Sequence, residues 1–243
     1  MKRYTLLLFS LICALSLYSQ SEVTMPEPTM LVVNADGEET TFTVGEDGFS
    51  GEAPVTVKLY ANAAEVEGYS MVCMWSFTKE GETEPYLVRH ETDVEIVLNE
   101  SGATYIQPII IYTSKENSDI YWEFGTETYS PFTVVLAESS LEVPNAFSPN
   151  GDGINDYFNV YNVKSIISFS AAIYNRWGQQ LYSWGIDEME CESCGWDGTY
   201  KGKPVRAGVY FVVVKAKGAD GIEYEFKSDV NLLRGYFEEG GDE

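Results

Sequence analysis

The chain has 243 residues, of which 38 are acidic and 15 basic, so its formal net charge is −23. This length is enough for one large domain or two ordinary domains. The acidic excess argues against binding to nucleic acid or to an anionic membrane, since both need clustered cations. The excess acid fits either solubility or weak calcium binding at several sites outside the cell.

Residues 1–19 are expected to form a secretory signal peptide. Lys2 and Arg3 precede an apolar run from Leu6 to Leu17, which only serine interrupts, and Ser19 is a small residue for cleavage. The run is too short to span a membrane, although an uncleaved anchor is the alternative. The mature chain is therefore expected to be exported from the cytoplasm.

The acidic residues are unevenly distributed. Residues 20–140 carry 22 acidic and 4 basic residues, whereas residues 141–243 carry 16 and 9. This shift predicts a domain boundary near residues 138–143. We therefore expect domains at 20–140 and 141–237, followed by a disordered acidic tail at 238–243.

The sequence pattern after residue 19 indicates an all-β protein, with two Ig-like antiparallel β-sandwich domains in tandem. Short runs rich in Val, Ile, Thr, Tyr and Phe alternate with Gly, Pro, Asn and Asp, and no long stretch has helical periodicity. Trp75 is expected in the first core, and Asp220-Gly221 is the clearest hairpin turn. Predicted strands are 29–34, 40–44, 55–61, 70–77, 86–90, 94–98, 105–112, 120–124, 132–137, 157–163, 166–175, 180–184, 209–217 and 222–233.

Three blocks stand out in the second half of the chain. They are PNAFSPNGDGINDYFN at 144–159, IYNRWGQ at 173–179 and WDGTYKGKPVRAGVY at 196–210. In this order they resemble the gliding-motility-associated C-terminal domain, the type B sorting signal of the Bacteroidetes type IX secretion system. The resemblance runs from Val143 to Gly235. It implies an Ig-like sandwich that the outer-membrane secretion machinery recognises as its partner.

The resemblance marks a set of sorting-motif positions. These are Asn145, Phe147, Pro149, Asn150, Gly151, Asp152, Gly153, Asn155, Asp156, Tyr174, Asn175, Arg176, Trp177, Gly178, Trp196, Asp197, Gly198, Gly208 and Tyr210. Trp177 and Trp196 are interpreted as core residues of this domain. Arg176 fits either a buried ion pair or recognition by the export machinery. The first half is similar, more loosely, to PKD-like and other Ig-like modules of bacterial surface proteins, through Gly51–Val55 and Gly102–Tyr105.

The loop from Asn150 to Asp156 offers two interpretations. Asn150, Asp152, Asp156 and the Ile154 carbonyl supply oxygens of the kind that Ca²⁺ prefers. A Gly/Asp-rich turn, in which carboxylates accept backbone N–H groups, is the favoured alternative. The twelfth position of an EF-hand would be Tyr161 rather than Glu. No cofactor other than calcium is expected.

Cys191 and Cys194 are interpreted as a local disulfide. A redox pair or half of a zinc site are the alternatives, but zinc lacks further ligands, because the only histidine is His90 in the first half. Export implies an oxidising compartment, in which paired cysteines close.

The sequence offers little for catalysis. A single histidine leaves few options for activating a nucleophile, and no pair of carboxylates is singled out by its spacing. Aromatic residues mostly fill cores in β-rich chains, although Tyr121-Trp122 beside Phe124 could stack on sugars.

Two function classes follow. In the first, the chain is a surface or secreted cargo whose N-terminal domain is a spacer or binds a protein or glycan, with association at the outer-membrane surface. In the second, it is a structural or assembly component of the secretion or gliding apparatus.

Overall fold

The computed structural model describes residues 23–189, 191 and 193–234. The predicted signal peptide and acidic tail lie outside the described residues. Almost every regular element is a β-strand, as the sequence predicts. Among the described residues, no helix is long and apolar enough to cross a membrane.

The N-terminal unit contains ten strands in two sheets. The first sheet has the order β2-β1-β4-β7, and the second has the order β3-β10-β8-β5-β6, with β9 also paired to β8. The strands are β1 (Thr29–Val33), β2 (Glu39–Thr43), β3 (Phe49–Gly51), β4 (Val55–Tyr60), β5 (Tyr69–Lys79), β6 (Leu87–Arg89), β7 (Asp93–Leu98), β8 (Gly102–Ser114), β9 (Ile120–Phe124) and β10 (Phe132–Leu136).

Alternating side chains fill the space between these two sheets. In β4, Val55, Val57 and Leu59 are buried, while the residues between them are half-buried. Trp75 lies in the same core and donates its indole N–H to the Glu91 carbonyl at 3.1 Å. The prediction that Trp75 is a core residue is therefore confirmed.

The C-terminal unit is built on one five-stranded sheet of order β12-β19-β18-β14-β15. The pairs β11–β13 and β16–β17 form two smaller sheets. The strands are β11 (Ser140–Glu142), β12 (Ala146–Phe147), β13 (Tyr161–Lys164), β14 (Ile166–Tyr174), β15 (Gln180–Gly185), β16 (Thr199–Tyr200), β17 (Lys203–Pro204), β18 (Gly208–Gly218) and β19 (Glu223–Leu232), with a short 3-10 helix at Ile186–Glu188.

The longer predicted strands and the hairpin at Asp220-Gly221 are confirmed. Gly221 has φ +83°, and β18 and β19 pair through ten residues on either side of this turn. The prediction at 157–163 is only partly right, because β13 begins at Tyr161 and Phe158 makes an isolated bridge with Trp196. Five strands of two or three residues, β3, β11, β12, β16 and β17, have no counterpart in the prediction.

Hydrogen bonds and buried side chains join the two units. The Ser165 hydroxyl accepts the Ala53 N–H at 3.1 Å, and the Ala219 carbonyl accepts the Ser101 N–H at 3.2 Å. Ala219 packs in the core of the N-terminal unit, and Ile167 packs against it. The units therefore share an interface, which we call the junction.

Asp220 holds one side of the junction. Its carboxylate accepts the Ser139 N–H at 2.8 Å and the Ser139 hydroxyl at 2.7 Å, and the Tyr224 hydroxyl lies 2.8 Å from the same serine oxygen. Burial raises the pKa of Asp220, but hydrogen bonds from Ile222 and Ser139 lower it more, so the net shift is downward. These bonds are therefore present at neutral pH and weaken as the pH falls through this pKa.

A substitution at Gly218 tests how tightly the junction is packed. A methyl group added there would collide with the Ser139 hydroxyl, which Asp220 holds in place. We expect Gly218→Ala to lower the free energy of unfolding by about 1–3 kcal/mol, as overpacking does. Denaturant titration of the purified protein measures this loss. In the control Gly125→Ala, the methyl meets Ile109 at 3.7 Å, an ordinary contact. Equal stability of the two variants would contradict the prediction.

Candidate functional site

The first and third sequence blocks meet in an aromatic cluster at the centre of the C-terminal unit. The Trp196 ring lies 5.3 Å from Phe147 and 5.0 Å from Tyr210, measured between centroids. Phe158 lies 5.8 Å from Phe147 and 6.3 Å from Trp184. Trp196 has no exposed surface, so the prediction that it is a core residue is confirmed.

The polar groups of this cluster have hydrogen-bond partners. The Trp196 indole N–H donates to the Thr199 carbonyl at 2.8 Å, and the Tyr210 hydroxyl donates to the Arg206 carbonyl at 2.7 Å. Trp196 and Phe158 also exchange both backbone hydrogen bonds, at 3.0 and 2.9 Å. Gly195 permits this approach, because a Cβ there would collide with the Phe158 carbonyl.

Asn159 holds this unit together, although its sequence position is not among those that the resemblance marks. Its amide donates to the carbonyls of Met189 at 3.0 Å and Cys191 at 3.1 Å, while its oxygen accepts the Trp184 indole N–H at 2.9 Å. It thus attaches the irregular segment around residues 186–191 to the sheet. Its place as the last residue of the first block was the available signal.

The loop from Asn150 to Asp156 is a turn whose acidic side chains accept backbone N–H groups. Asp156 accepts from Asn150 at 2.9 Å, Gly151 at 2.7 Å and Gly153 at 2.8 Å. Asp152 accepts from Ile154 at 2.8 Å, and its other oxygen accepts the Asn150 amide at 2.8 Å. These carboxylates satisfy the loop's own donors.

These contacts lower the pKa of Asp156. The N–H groups of Gly151 and Gly153 are the main cause, with a smaller contribution from Asn150 and an opposing effect of burial. Since the folded-state pKa is depressed, the stabilisation is present above the ordinary pKa of about 4. It is lost as the pH falls through the folded-state value.

Calcium binding at this loop stays a prediction. Asn150, Asp152, Ile154 and Asp156 lie together, as that prediction requires, but the carboxylates are engaged by backbone donors. In the part of the chain that the structure describes, no group of three or more His, Cys, Asp or Glu side chains is placed to hold a metal ion.

Cys191 and Cys194 are joined as a disulfide, with Cα atoms 5.1 Å apart. The bridge closes a short loop directly before Gly195 and Trp196. The Tyr182 hydroxyl donates to the Cys194 carbonyl at 2.9 Å and ties this loop to β15. Its position suits local reinforcement of the segment that carries Trp196.

The second block forms a tight turn between β14 and β15. The Asn175 side-chain oxygen accepts the N–H of Trp177 at 3.0 Å and that of Gln179 at 3.1 Å. Gly178 has φ +77° and donates its N–H to the Asn175 carbonyl at 2.9 Å. Side-chain and main-chain bonds therefore fix the direction in which this turn projects.

The interpretation of Trp177 as a core residue is wrong. Its side chain is 75% exposed, at the tip of the turn. Arg176 is exposed and lies over the indole ring, with its guanidinium carbon 4.4 Å from the ring centroid. Since the side chain is not buried, the buried ion pair considered for it is also wrong. The turn occupies the end of the sheet, where even an apolar residue projects into solvent.

A cleft of about 440 Å³ lies beside Trp177. Val205, Val209 and Tyr210 supply apolar surface, and Arg176, Tyr200 and Arg206 supply polar groups. Arg234 donates to the carbonyls of Val205 at 3.3 Å and Gly198 at 3.1 Å, and so supports the wall of the cleft. The cleft brings the second and third blocks together, which their separation in sequence could not reveal.

The two tryptophans of the motif blocks make a matched test. We expect Trp196→Ala to lower the free energy of unfolding by about 3–5 kcal/mol, because it empties the centre of the core. Trp177→Ala should cost less than about 1 kcal/mol, since only a surface contact with Arg176 is lost. Denaturant unfolding of both variants measures the difference. A large loss from Trp177→Ala would show that the indole is structural.

Asp156→Asn tests the loop. Asparagine has one acceptor oxygen, so at least one of the three N–H donors should lose its partner. We expect a lower melting temperature than wild type at pH 7 and a smaller difference once the pH has fallen through the lowered pKa of Asp156, where the carboxyl becomes protonated. Melting curves across this range measure it, and a difference that is constant with pH would contradict the assignment. A calcium-dependent rise in the wild type that the variant lacks would instead establish a calcium site.

The family comparison covers this unit. Residues 141–229 match the family model of the CHU_C type IX secretion signal domain, a range that includes all three blocks. The match ends within β19, although Val230 and Leu232 further along that strand are still core residues. No curated protein shows significant similarity to the chain. Residues 141–229 of this chain are therefore a type IX secretion signal domain.

Proposed function

We propose that this chain is a non-enzymatic surface or secreted protein, exported by its C-terminal domain, whose N-terminal unit is a binding or spacer module. The family match at residues 141–229 carries the proposal. It supports export through the type IX system and contact with the secretion machinery. The motif residues lie within a folded domain, which supports recognition of the signal as a surface of that domain.

The two units expose opposite ends of the molecule. Strand β14 starts beside the junction at Ile166 and reaches the Trp177 turn after nine residues, about 30 Å in an extended strand. Strand β8 starts beside the junction at Gly102 and extends to Ser114. The far end of the N-terminal unit is thus remote from the Trp177 turn and accessible to a partner.

An aromatic patch at this far end favours a binding role. The Tyr69 ring lies 5.3 Å from Tyr121 and 5.0 Å from Trp122. Tyr121 is 50% exposed on the edge strand β9, and half-exposed rings can stack on sugars or pack against a protein. Phe124 does not extend the patch, since it packs against the core residues Tyr112 and Tyr129.

The non-enzymatic part of the proposal has its own support. His90, the one histidine of the chain, is exposed at the end of β6. Among the described residues, the carboxylates with lowered pKa values owe the shift to backbone N–H donors, to an amide, to hydroxyl groups or to lysine. Such surroundings favour the charged form, whereas a general acid needs a raised pKa.

Export can be tested in the native host. Wild type and a variant lacking residues 141–234 would be followed in the periplasm, at the surface and in the medium, with and without the translocon. We expect surface or medium protein only for wild type with the translocon, and periplasmic accumulation otherwise. Unchanged location of the truncated protein would contradict the proposal. Stable copurification of wild type with the translocon would instead favour the assembly component.

A further inference from the structure

We propose that the cleft beside Trp177 is the surface by which the C-terminal domain docks onto a carboxylate-bearing protein of the secretion machinery. The inference rests on the proposed function and adds to it the docking face and the partner chemistry. It is carried by an exposed tryptophan, a set of unpaired cations and the position of the cleft.

Trp177 is exposed without structural need. It is the most exposed large apolar side chain among the described residues, at 75%, and it makes no contact with the core. The bonds from Asn175 hold the turn, so little conformational freedom would be lost when a partner covers the indole. Rigidly presented tryptophans of this kind are frequent anchors of protein interfaces.

The cations around Trp177 have no acidic partner in the described part of the chain. Arg176 and Arg206 border the cleft, and Lys201 and Lys203 lie on the adjoining β16–β17 hairpin. None of the ion pairs among the described residues includes them, and no carboxylate lines the cleft there. Elsewhere in this domain, Lys215 and Lys227 both pair with Glu225.

This local charge is unusual in a chain of net charge −23. Like charges within an interface repel, while a complementary arrangement guides association and selects the partner. A partner that fits would place carboxylates against Arg176 and Arg206 and an apolar pocket against the Trp177 indole. An anionic membrane is disfavoured as the partner, because the acidic remainder of the chain would be repelled.

The position of the cleft suits docking. It lies where β14 ends and β18 begins, whereas the junction lies at the start of β14 and the end of β18. The N-terminal unit therefore does not cover it.

The test uses the full chain in its native host. We expect Trp177→Ala and the double variant Arg176→Glu/Arg206→Glu to shift most of the exported protein to the periplasm. Loss of a central aromatic anchor weakens binding by about 30-fold or more. Tyr86→Ala is the control for an exposed aromatic residue, and Lys215→Glu/Lys227→Glu is the control for the change in charge. Both controls should be exported like wild type.

Each outcome decides the inference. Export of the Trp177 and arginine variants at wild-type levels, while removal of residues 141–234 abolishes export, would overturn the docking face and leave the proposed function standing. Export of the truncated protein would overturn both. Equal losses in the charge control would assign the effect to net charge and also overturn the inference. Melting curves of the purified variants ensure that misfolding is not the cause.

A second measurement addresses the membrane. The purified protein would be sedimented with vesicles of phosphatidylglycerol, and we expect it to stay in the supernatant. Binding that Arg176→Glu/Arg206→Glu abolishes would overturn the protein partner and assign the cleft to a phosphate headgroup.

Discussion

The packing of Trp196 against Phe147 and Tyr210, with Phe158 packed against Phe147, is the interaction on which the C-terminal domain depends. These rings come from the two outer sequence blocks, which lie on different strands and loops. Large aromatic side chains supply much apolar area each, so a small domain can build a core from few of them. Polar residues of the first block stabilise the loops around the cluster by hydrogen bonds. Asp156 accepts the Gly151 N–H, and Asn159 donates to the Met189 carbonyl.

This arrangement separates two roles within one motif set. Phe147, Trp196 and Tyr210 face inward and hold the domain together, whereas Arg176 and Trp177 face outward from a turn. Gly178 and Asn175 belong to neither group, since they shape the turn that presents the indole. A family pattern alone cannot distinguish residues that maintain a fold from those that a partner contacts.

Much of the fold could be predicted because strand alternation is a local property. The alternation from Val55 to Leu59 and the hairpin turn at Asp220-Gly221 can each be recognised from a few consecutive residues. Strands β12 and β16 could not be predicted, since two residues carry no periodicity and their pairing depends on partners far along the chain. Trp177 was misassigned for a related reason: hydrophobicity favours burial, but only the three-dimensional position of the turn shows that no core lies within reach. The junction could not be predicted from the sequence either, because Ser165 and Ala53, which form a hydrogen bond there, are 112 positions apart.

The parallel pairing of β12 with β19 has a consequence for when the domain can form. Ala146 lies opposite Asn231 and Phe147 opposite Leu232, and the Phe147 carbonyl accepts the Leu233 N–H at 2.9 Å. Strand β12, near the start of the domain, is thus held in place by β19, which lies more than eighty residues later in the sequence. While the chain crosses a membrane and β19 has not yet crossed, Phe147 lacks the strand against which it pairs. The complete domain therefore forms only when β19 is present. A partner that binds the folded domain can bind it only after the whole domain has been made available.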